Sequence, residues 1–239
     1  DLVLLDDDFT NLVAALRLGR RIYDNLRKAV SYILAVHVPI VGMSLIPVLL
    51  GWPLLLGPLH VVFLELIIDP VSSMVFEAEP EAPRIMARPP RDPKAALFGI
   101  GLLTTGLLQG AVVLAAALGT FTLGIHASQD EAATRAMAFL VLVLGNLGLV
   151  LTSRSLGSAP WKTWLRPTRS VNLVMLATLA ALTLVIGIPW VRPLFGFASL
   201  GLGQVAASVA AALVTVLINS VLAAGLNRLR RRVEPRAPA

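Results

Sequence analysis

Six long apolar stretches separated by short polar segments set the pattern of this chain: residues 29–50, 54–76, 97–125, 132–151, 171–191 and 198–226. Each is long enough to cross about 30 Å of hydrocarbon as an α-helix, which takes roughly 20 residues at 1.5 Å apiece. None shows the alternation or the roughly ten-residue length of a membrane barrel strand. Gly51-Trp52-Pro53 reads as a tight turn between the first two stretches, and 79–94 is a polar, proline-rich loop that belongs outside the bilayer. Trp52 and Trp190 fall at span ends, where an amphipathic indole is favoured. Ahead of the first span, Leu12, Leu16, Gly19 and Tyr23 keep a helical spacing. No Gly or Pro interrupts 20–38, so 9–28 is expected to be a stalk helix continuous with the first span. Residues 2–5, an apolar run capped by Asp6, Asp7 and Asp8, read as a single short strand. The expected fold is all-α: a polytopic membrane protein, a bundle of six transmembrane helices with a short N-terminal strand and a stalk helix. Its divisions are 1–28, the bundle 29–226 and a basic tail 227–239, disordered past 233. No internal repeat is evident, which argues against a secondary transporter built from two matching halves.

Composition and charge sharpen this picture. Hydrophobic residues make up 56% of the chain and charged ones only 14%, against about 25% charged in a soluble domain. The bilayer is therefore the expected solvent and partner. The absence of cysteine excludes a disulfide framework and a thiolate metal site. The net charge of +6 follows from placement. In a six-span chain every Lys and Arg except Arg135 and Arg192 falls on one side. That is the positive-inside asymmetry, and it predicts both termini in the cytoplasm. The basic charge is thus assigned to orientation and anionic headgroups, and nucleic acid is not expected as a partner. The start carries neither an initiator Met nor a signal-peptide pattern and reads as the interior of a longer polypeptide.

Ionisable residues inside a span are costly and need a reason. Glu65 and Asp69 are four residues apart in the second span, on one helical face. They are expected to point into the bundle and meet a cation; a structural, protonated or hydrogen-bonded pair is the alternative. Pro70 lacks an N–H, so it is expected to free the carbonyl of Leu66, to push Asp69 off helical geometry and to break the helix beside the carboxylates. In the first span Pro39 should free the carbonyl of Ala35. His37, two residues earlier, reads as a ligand, a titrating gate, the carboxylates' partner or a hydrogen-bonded core histidine. Asn146 reads as a neutral oxygen ligand or an interhelical hydrogen bond. Gln109 reads as a cross-helix hydrogen bonder, and His60 as a bland residue near the outer interface. Glu77, Glu79 and Glu81 read as a solvated loop face. Gly99-x-Gly101 and Gly201-x-Gly203 read as close helix packing. They are not phosphate loops, since no strand precedes them and no Gly-Lys-Ser/Thr follows.

Three segments together resemble the P-type ATPases of the calcium, sodium–potassium and proton pump branch. Asp1-Leu-Val-Leu-Leu-Asp-Asp-Asp-Phe-Thr10, continued by Gly19-Arg-Arg-Ile-Tyr-Asp-Asn-Leu-Arg-Lys28, is similar to the end of that family's phosphorylation domain and the stalk into its fifth transmembrane helix. Glu65-Leu-Ile-Ile-Asp69-Pro70 stands in the place of the sixth-helix ion-binding stretch. Arg88-Pro-Pro-Arg-Asp-Pro-Lys94 resembles the loop that follows it. The resemblance implies that the six spans are the family's fifth to tenth transmembrane helices, and that 1–28 is the remnant of the phosphorylation domain and stalk.

Carried over residue by residue, the resemblance points at His37, Ile40, Glu65, Ile68 and Asp69, with Asn146 where calcium pumps place a carboxylate. Ile40 stands where an acidic ligand is usual, Ile68 where a hydroxyl is, and His37 where an amide is. Ca²⁺ takes six to eight oxygens, so this set suits one divalent cation or protons better than two calcium ions. Site metal ligands are therefore expected at Glu65, Asp69, His37 and Asn146. The family's Asp-Lys-Thr-Gly phosphorylation motif, its Thr-Gly-Glu loop and its nucleotide pocket are not in this sequence. No cofactor is expected on these residues. Mg-ATP, four further helices and the driving force would come from a missing N-terminal part of the same pump, in the plasma membrane. The alternative is a non-catalytic six-span binding or regulatory protein derived from such a pump.

Overall fold

The computed structural model describes residues 9–83, 85–90, 98–127, 129–155 and 168–233, the side chains of Ser72 and of 230–233 excepted. The expected strand at 2–5, the basic residues Arg84, Arg91, Lys94, Lys162 and Arg166, and the end of the tail fall outside them. In chain order the elements are α1 (Phe9–Leu50), α2 (Pro58–Pro70) continued by a π-helical segment (Val71–Val75), and a 3-10 turn (Ile85–Ala87). Then come α3 (Ile100–His126), α4 (Glu131–Arg154), α5 (Arg169–Gly187), a second 3-10 turn (Arg192–Phe195) and α6 (Leu202–Val233). There is no strand among the described residues. Six helices are long and apolar enough to cross a membrane, so the chain is a multi-pass, all-α membrane protein.

Local chemistry sets the helix ends. Gly51 closes α1 at φ 66°, a left-handed conformation that only glycine adopts freely, and the Trp52 N–H donates to the Pro47 carbonyl at 2.8 Å. Pro58 opens α2, where its missing N–H costs nothing. The Asp130 carboxylate accepts the Ala133 N–H at 3.1 Å, and the Thr168 hydroxyl accepts that of Val171 at 3.4 Å; both are N-caps. The expected continuity of stalk and first span is realised in α1, a single helix of 42 residues.

α4 is the pillar of the bundle. Of its most apolar 18-residue window 89% is buried, against 22–39% for the other five spans, so α4 meets protein on all sides while the others keep a face outward. α3 and α6 flank α4, α1 runs along α3, and the π segment after α2 leans on α5. Close approach is made at small residues. A β-carbon at Gly106 would stand 2.8 Å from the Ser31 carbonyl oxygen, and one at Gly110 would overlap that of Ala35. Gly145 and Gly148 seat Val113 and Val216 in the same way. These are the packing glycines. Gly99 and Gly203 have nothing within 4 Å, and Gly201 meets only Gln204, which corrects the close-packing expectation for these three glycines.

At the end of the bundle that carries the basic residues, the segment after α2 is strapped to the stalk. Arg17 pairs with Glu81 through one guanidinium edge, Nε donating to Oε2 at 2.7 Å and Nη2 to Oε1. Arg20 Nη1 donates to the carbonyls of Ile85 and Arg88, each at 2.8 Å, and Arg88 returns to Asp24 at 2.7 Å. The reading of the acidic set as a solvated face is corrected here. Glu77 is exposed, but Glu81 is held by Arg17 and Glu79 is buried. Spacing within the loop carries no trace of this, because the partners lie 64 and 75 residues away.

Candidate functional site

The site residues sit on α1 and α2. His37 lies in the C-terminal half of α1, where its Nδ1 is 2.7 Å from the Ile33 carbonyl one turn back. With Nδ1 donating to that carbonyl, Nε2 is turned outward, 3.7 Å from Glu65 Oε1. At that separation the two groups are close neighbours, too far apart for a good hydrogen bond. Glu65 is near the middle of the span Pro58–Val75, and Asp69 follows one turn on. The two carboxylates and the imidazole thus share one side of the bundle.

Two expectations are revised by this geometry. The carboxylates do not point into the six-helix bundle: Glu65 is half-exposed and Asp69 exposed, while Ile68 and Ile40 fill the interior. Pro70 does not break the helix either. α2 runs through Asp69 and Pro70, and the chain continues by widening into the π turn Val71–Val75, a single-turn form that π-helix takes inside α-helices. The Val71 N–H is shared between the Ile67 and Ile68 carbonyls, and the Ser73 hydroxyl donates to the Asp69 carbonyl at 2.9 Å. In α1 the carbonyl that Pro39 frees, at Ala35, is the one Gly110 packs against.

The remaining candidates lie apart. Asn146 is buried in α4, and neither its Nδ2 nor its Oδ1 has a hydrogen-bond partner among the described residues. It forms no bond to His37, Glu65 or Asp69. Gln109 joins α6 through its backbone: Asn219 Nδ2 donates to the Gln109 carbonyl at 3.3 Å, while Gln109 Nε2 has no partner among the described residues. No cluster of three His, Asp or Glu side chains forms a ready metal cage among the described residues. His37, Glu65 and Asp69 together offer at most one nitrogen and four oxygens, an incomplete shell for Ca²⁺.

Two features escaped the sequence reading. His60 is buried at the far end of the bundle, edge-on to Phe139, Phe195 and Phe197 with ring centroids 5.1, 5.3 and 5.1 Å away. Its Nδ1 accepts the Gly57 N–H at 3.1 Å, which puts the ring proton of the neutral imidazole on Nε2. Beside it, Arg135 Nε donates to the Leu54 carbonyl at 3.1 Å and Nη1 to the Gly196 carbonyl at 3.2 Å, with Glu131 pairing Nη2. His60 and Arg135 together tie the α1–α2 turn to the α5–α6 connection. The signal was Arg135 itself, a cation on the sparsely charged side.

The comparison that decides the family is the match of residues 53–224 to the model described as "Cation transporting ATPase, C-terminus". The chain belongs to the cation-transporting ATPases. It is the C-terminal membrane region of a P-type ATPase, as the resemblance implied. Similar cation-transporting ATPases include the calcium-transporting ATPase of Bacillus subtilis, 30% identical over 81% of this chain and 22% of that protein. Calcium-transporting ATPase 1 of Lactococcus lactis is 26% identical over 92% of the chain and 25% of its own length. Human sodium/potassium-transporting ATPase subunit alpha-4 is 34% identical over 46% of the chain and 11% of that protein. The chain spans about a quarter of the length of the bacterial calcium-transporting relatives.

Proposed function

We propose that this chain is the ion-pathway part of an ATP-driven cation pump, with Glu65 and Asp69 as its mid-membrane carboxylates and His37 as their neighbour. One observation carries the reading: an imidazole and two carboxylates lie on one outward face of α1 and α2, within helices long and apolar enough to cross a membrane. Groups of this kind are rarely left against lipid, where an Asp at a helix centre costs about 2.5–3.5 kcal/mol on insertion scales. The face is therefore taken to be completed by protein, in the part of the pump that the relatives have beyond this chain, and the missing ligands to come from there. Asn146, without a partner among the described residues, is the neutral oxygen held in reserve. The transported species is one divalent cation or protons. Mg-ATP acts on the pump's other domains, and the bundle sits in the plasma membrane with both termini cytoplasmic.

The test is ATP-driven cation uptake and cation-stimulated ATP turnover by the polypeptide that carries this chain, reconstituted in liposomes. Asp69→Asn is expected to weaken apparent cation affinity at least tenfold, and Glu65→Gln to do so as well. Ile68→Ala, which opens space in the interior, should leave that affinity unchanged. Unchanged affinity in both carboxylate variants, with folding and insertion intact, would overturn the assignment.

A further inference from the structure

Glu79 is the most enclosed carboxylate among the described residues, and it lies outside the transport site. It follows the π segment, in the stretch that leaves α2, yet only 5% of it is exposed. Burial of a carboxylate is tolerated where it is paired and hydrogen-bonded, and its partners come from two different helices. Oε2 accepts from Arg154 Nε at 2.7 Å, at the last residue of α4. Oε1 lies 3.5 Å from Lys28 Nζ, in the stalk half of α1. The backbone of the same residue is held as well: its carbonyl accepts from Asn25 Nδ2 at 2.9 Å and from Arg21 Nε at 3.1 Å. Arg154 is itself buried.

This arrangement differs in kind from the ion pairs around it. Arg17–Glu81 and Arg88–Asp24 join the stalk to the loop alone and are largely exposed, where such pairs contribute little. Glu79 is shared by three elements: stalk, α2 exit and pillar. A pump has to carry displacement of the stalk into the bundle. The stalk continues into the span that holds His37, and the α2 exit is ten residues past Asp69. The pillar is the one span among the described residues that is enclosed on all sides. A charge that ties these three at a single atom pair on each side fixes how α1 and α2 move relative to α4.

We propose that Glu79 is a positioning residue for transport, the joint that couples stalk displacement to the α1–α2 pair by anchoring both to the α4 terminus through Arg154. The proposal rests on the pump reading above, and its test has two arms. The first needs no turnover. The chain has no cysteine, so spin labels placed at Leu18→Cys on the exposed stalk and Leu229→Cys on α6, which adjoins the α4 terminus through Asn227 and Ser155, report one distance. Glu79→Gln and Arg154→Gln should each broaden that distribution, and Glu79→Asp should restore most of its sharpness. An unchanged distribution in both Gln variants would overturn the joint.

The second arm measures cations moved per ATP hydrolysed in the reconstituted polypeptide. Glu79→Gln should keep cation-stimulated hydrolysis within about threefold of the unsubstituted protein while the transport ratio falls at least fivefold, with Glu79→Asp recovering the ratio. Hydrolysis and uptake falling together, in proportion to folded protein, would show a purely structural role and overturn the proposal. Absence of ATP-driven uptake by the unsubstituted protein would overturn the pump reading instead, and the distance arm would then decide the joint alone.

Discussion

Gly110 of α3 is seated on the carbonyl of Ala35, the group that Pro39 deprives of its helical partner: a β-carbon at Gly110 would overlap that oxygen and stand 2.7 Å from Val38 Cβ. The proline and the glycine therefore form one device on two helices. The first exposes a backbone dipole, and the second lets a neighbouring backbone cover it closely enough for a Cα–H···O contact.

Gly110→Ala should be strongly disfavoured on this account. Overpacking a fitted contact costs about 1–3 kcal/mol, and here the obstacle is backbone, which cannot swing away. Gly119→Ala, in the same helix with nothing within 4 Å, should be neutral or slightly stabilising by helix propensity. Thermal unfolding in detergent of the two variants side by side checks this. Equal midpoints would show that α1 and α3 do not pack as described.

The far-end clamp makes a second prediction. Gly196 sits at φ 62°, and a β-carbon there would meet Arg135 Nη1 at 2.9 Å. Gly196→Ala combines a left-handed backbone penalty of about 1 kcal/mol with displacement of the guanidinium. Arg135→Met removes the donors to Leu54 and Gly196 at once. Both variants should increase hydrogen exchange at 51–57, the turn between α1 and α2, while leaving 17–28 in the stalk unchanged. Uniform loss of protection along the chain would point to global unfolding and away from a local clamp.

Acid should loosen the strap at one of its exposed ties. Arg17 holds the Glu81 carboxyl below its ordinary value of 4.5, chiefly by hydrogen bonding. A carboxylate whose pKa is lower in the folded state binds its proton more weakly there, so its contribution is complete above 4.5 and is lost as pH falls through the lower folded value. Protection of 79–83 and 85–88 should therefore decline below pH 4.5, and Arg17→Gln should remove that dependence. A strap that opens instead between pH 5 and 7 would exclude Glu81 as the cause.

Orientation is tested by single cysteines in the cysteine-free chain. Arg169→Cys, at the start of α5, and Arg192→Cys, beyond its other end, should fall on opposite sides. In intact cells an impermeant thiol reagent should label position 192 and reach 169 only after the membrane is opened. The reverse pattern would invert the proposed topology.

The membrane class, the six spans and the uninterrupted stalk were legible in the sequence because each rests on a sum over many residues: about twenty apolar positions, or the absence of any breaker from 20 to 38. Pairings of single residues were not. The carboxyl of Glu79 and the guanidinium of Arg154 are 75 positions apart, and no local spacing distinguishes a buried acid from its exposed neighbour Glu77. The proline effect at Pro70 was misjudged for a related reason. The missing N–H is local, but whether a helix breaks or widens depends on its neighbours, and here the segment is supported by α5. His60 was passed over because its cage is built from Phe139, Phe195 and Phe197, residues far from it in sequence.

The length of α1 has a mechanical consequence. As a single helix of 42 residues it is roughly 60 Å long, about twice the hydrocarbon it crosses. Its closest seat against α3 is at Ala35. From that fulcrum the rod extends about 39 Å down to Phe9 but only about 3 Å up to His37, at 1.5 Å per residue. The lever ratio is on the order of ten, so a sweep of several ångströms at the stalk tip becomes a few tenths of an ångström at the imidazole. A tilt about that seat would therefore change the His37 to Glu65 separation of 3.7 Å far less than it moves the stalk tip.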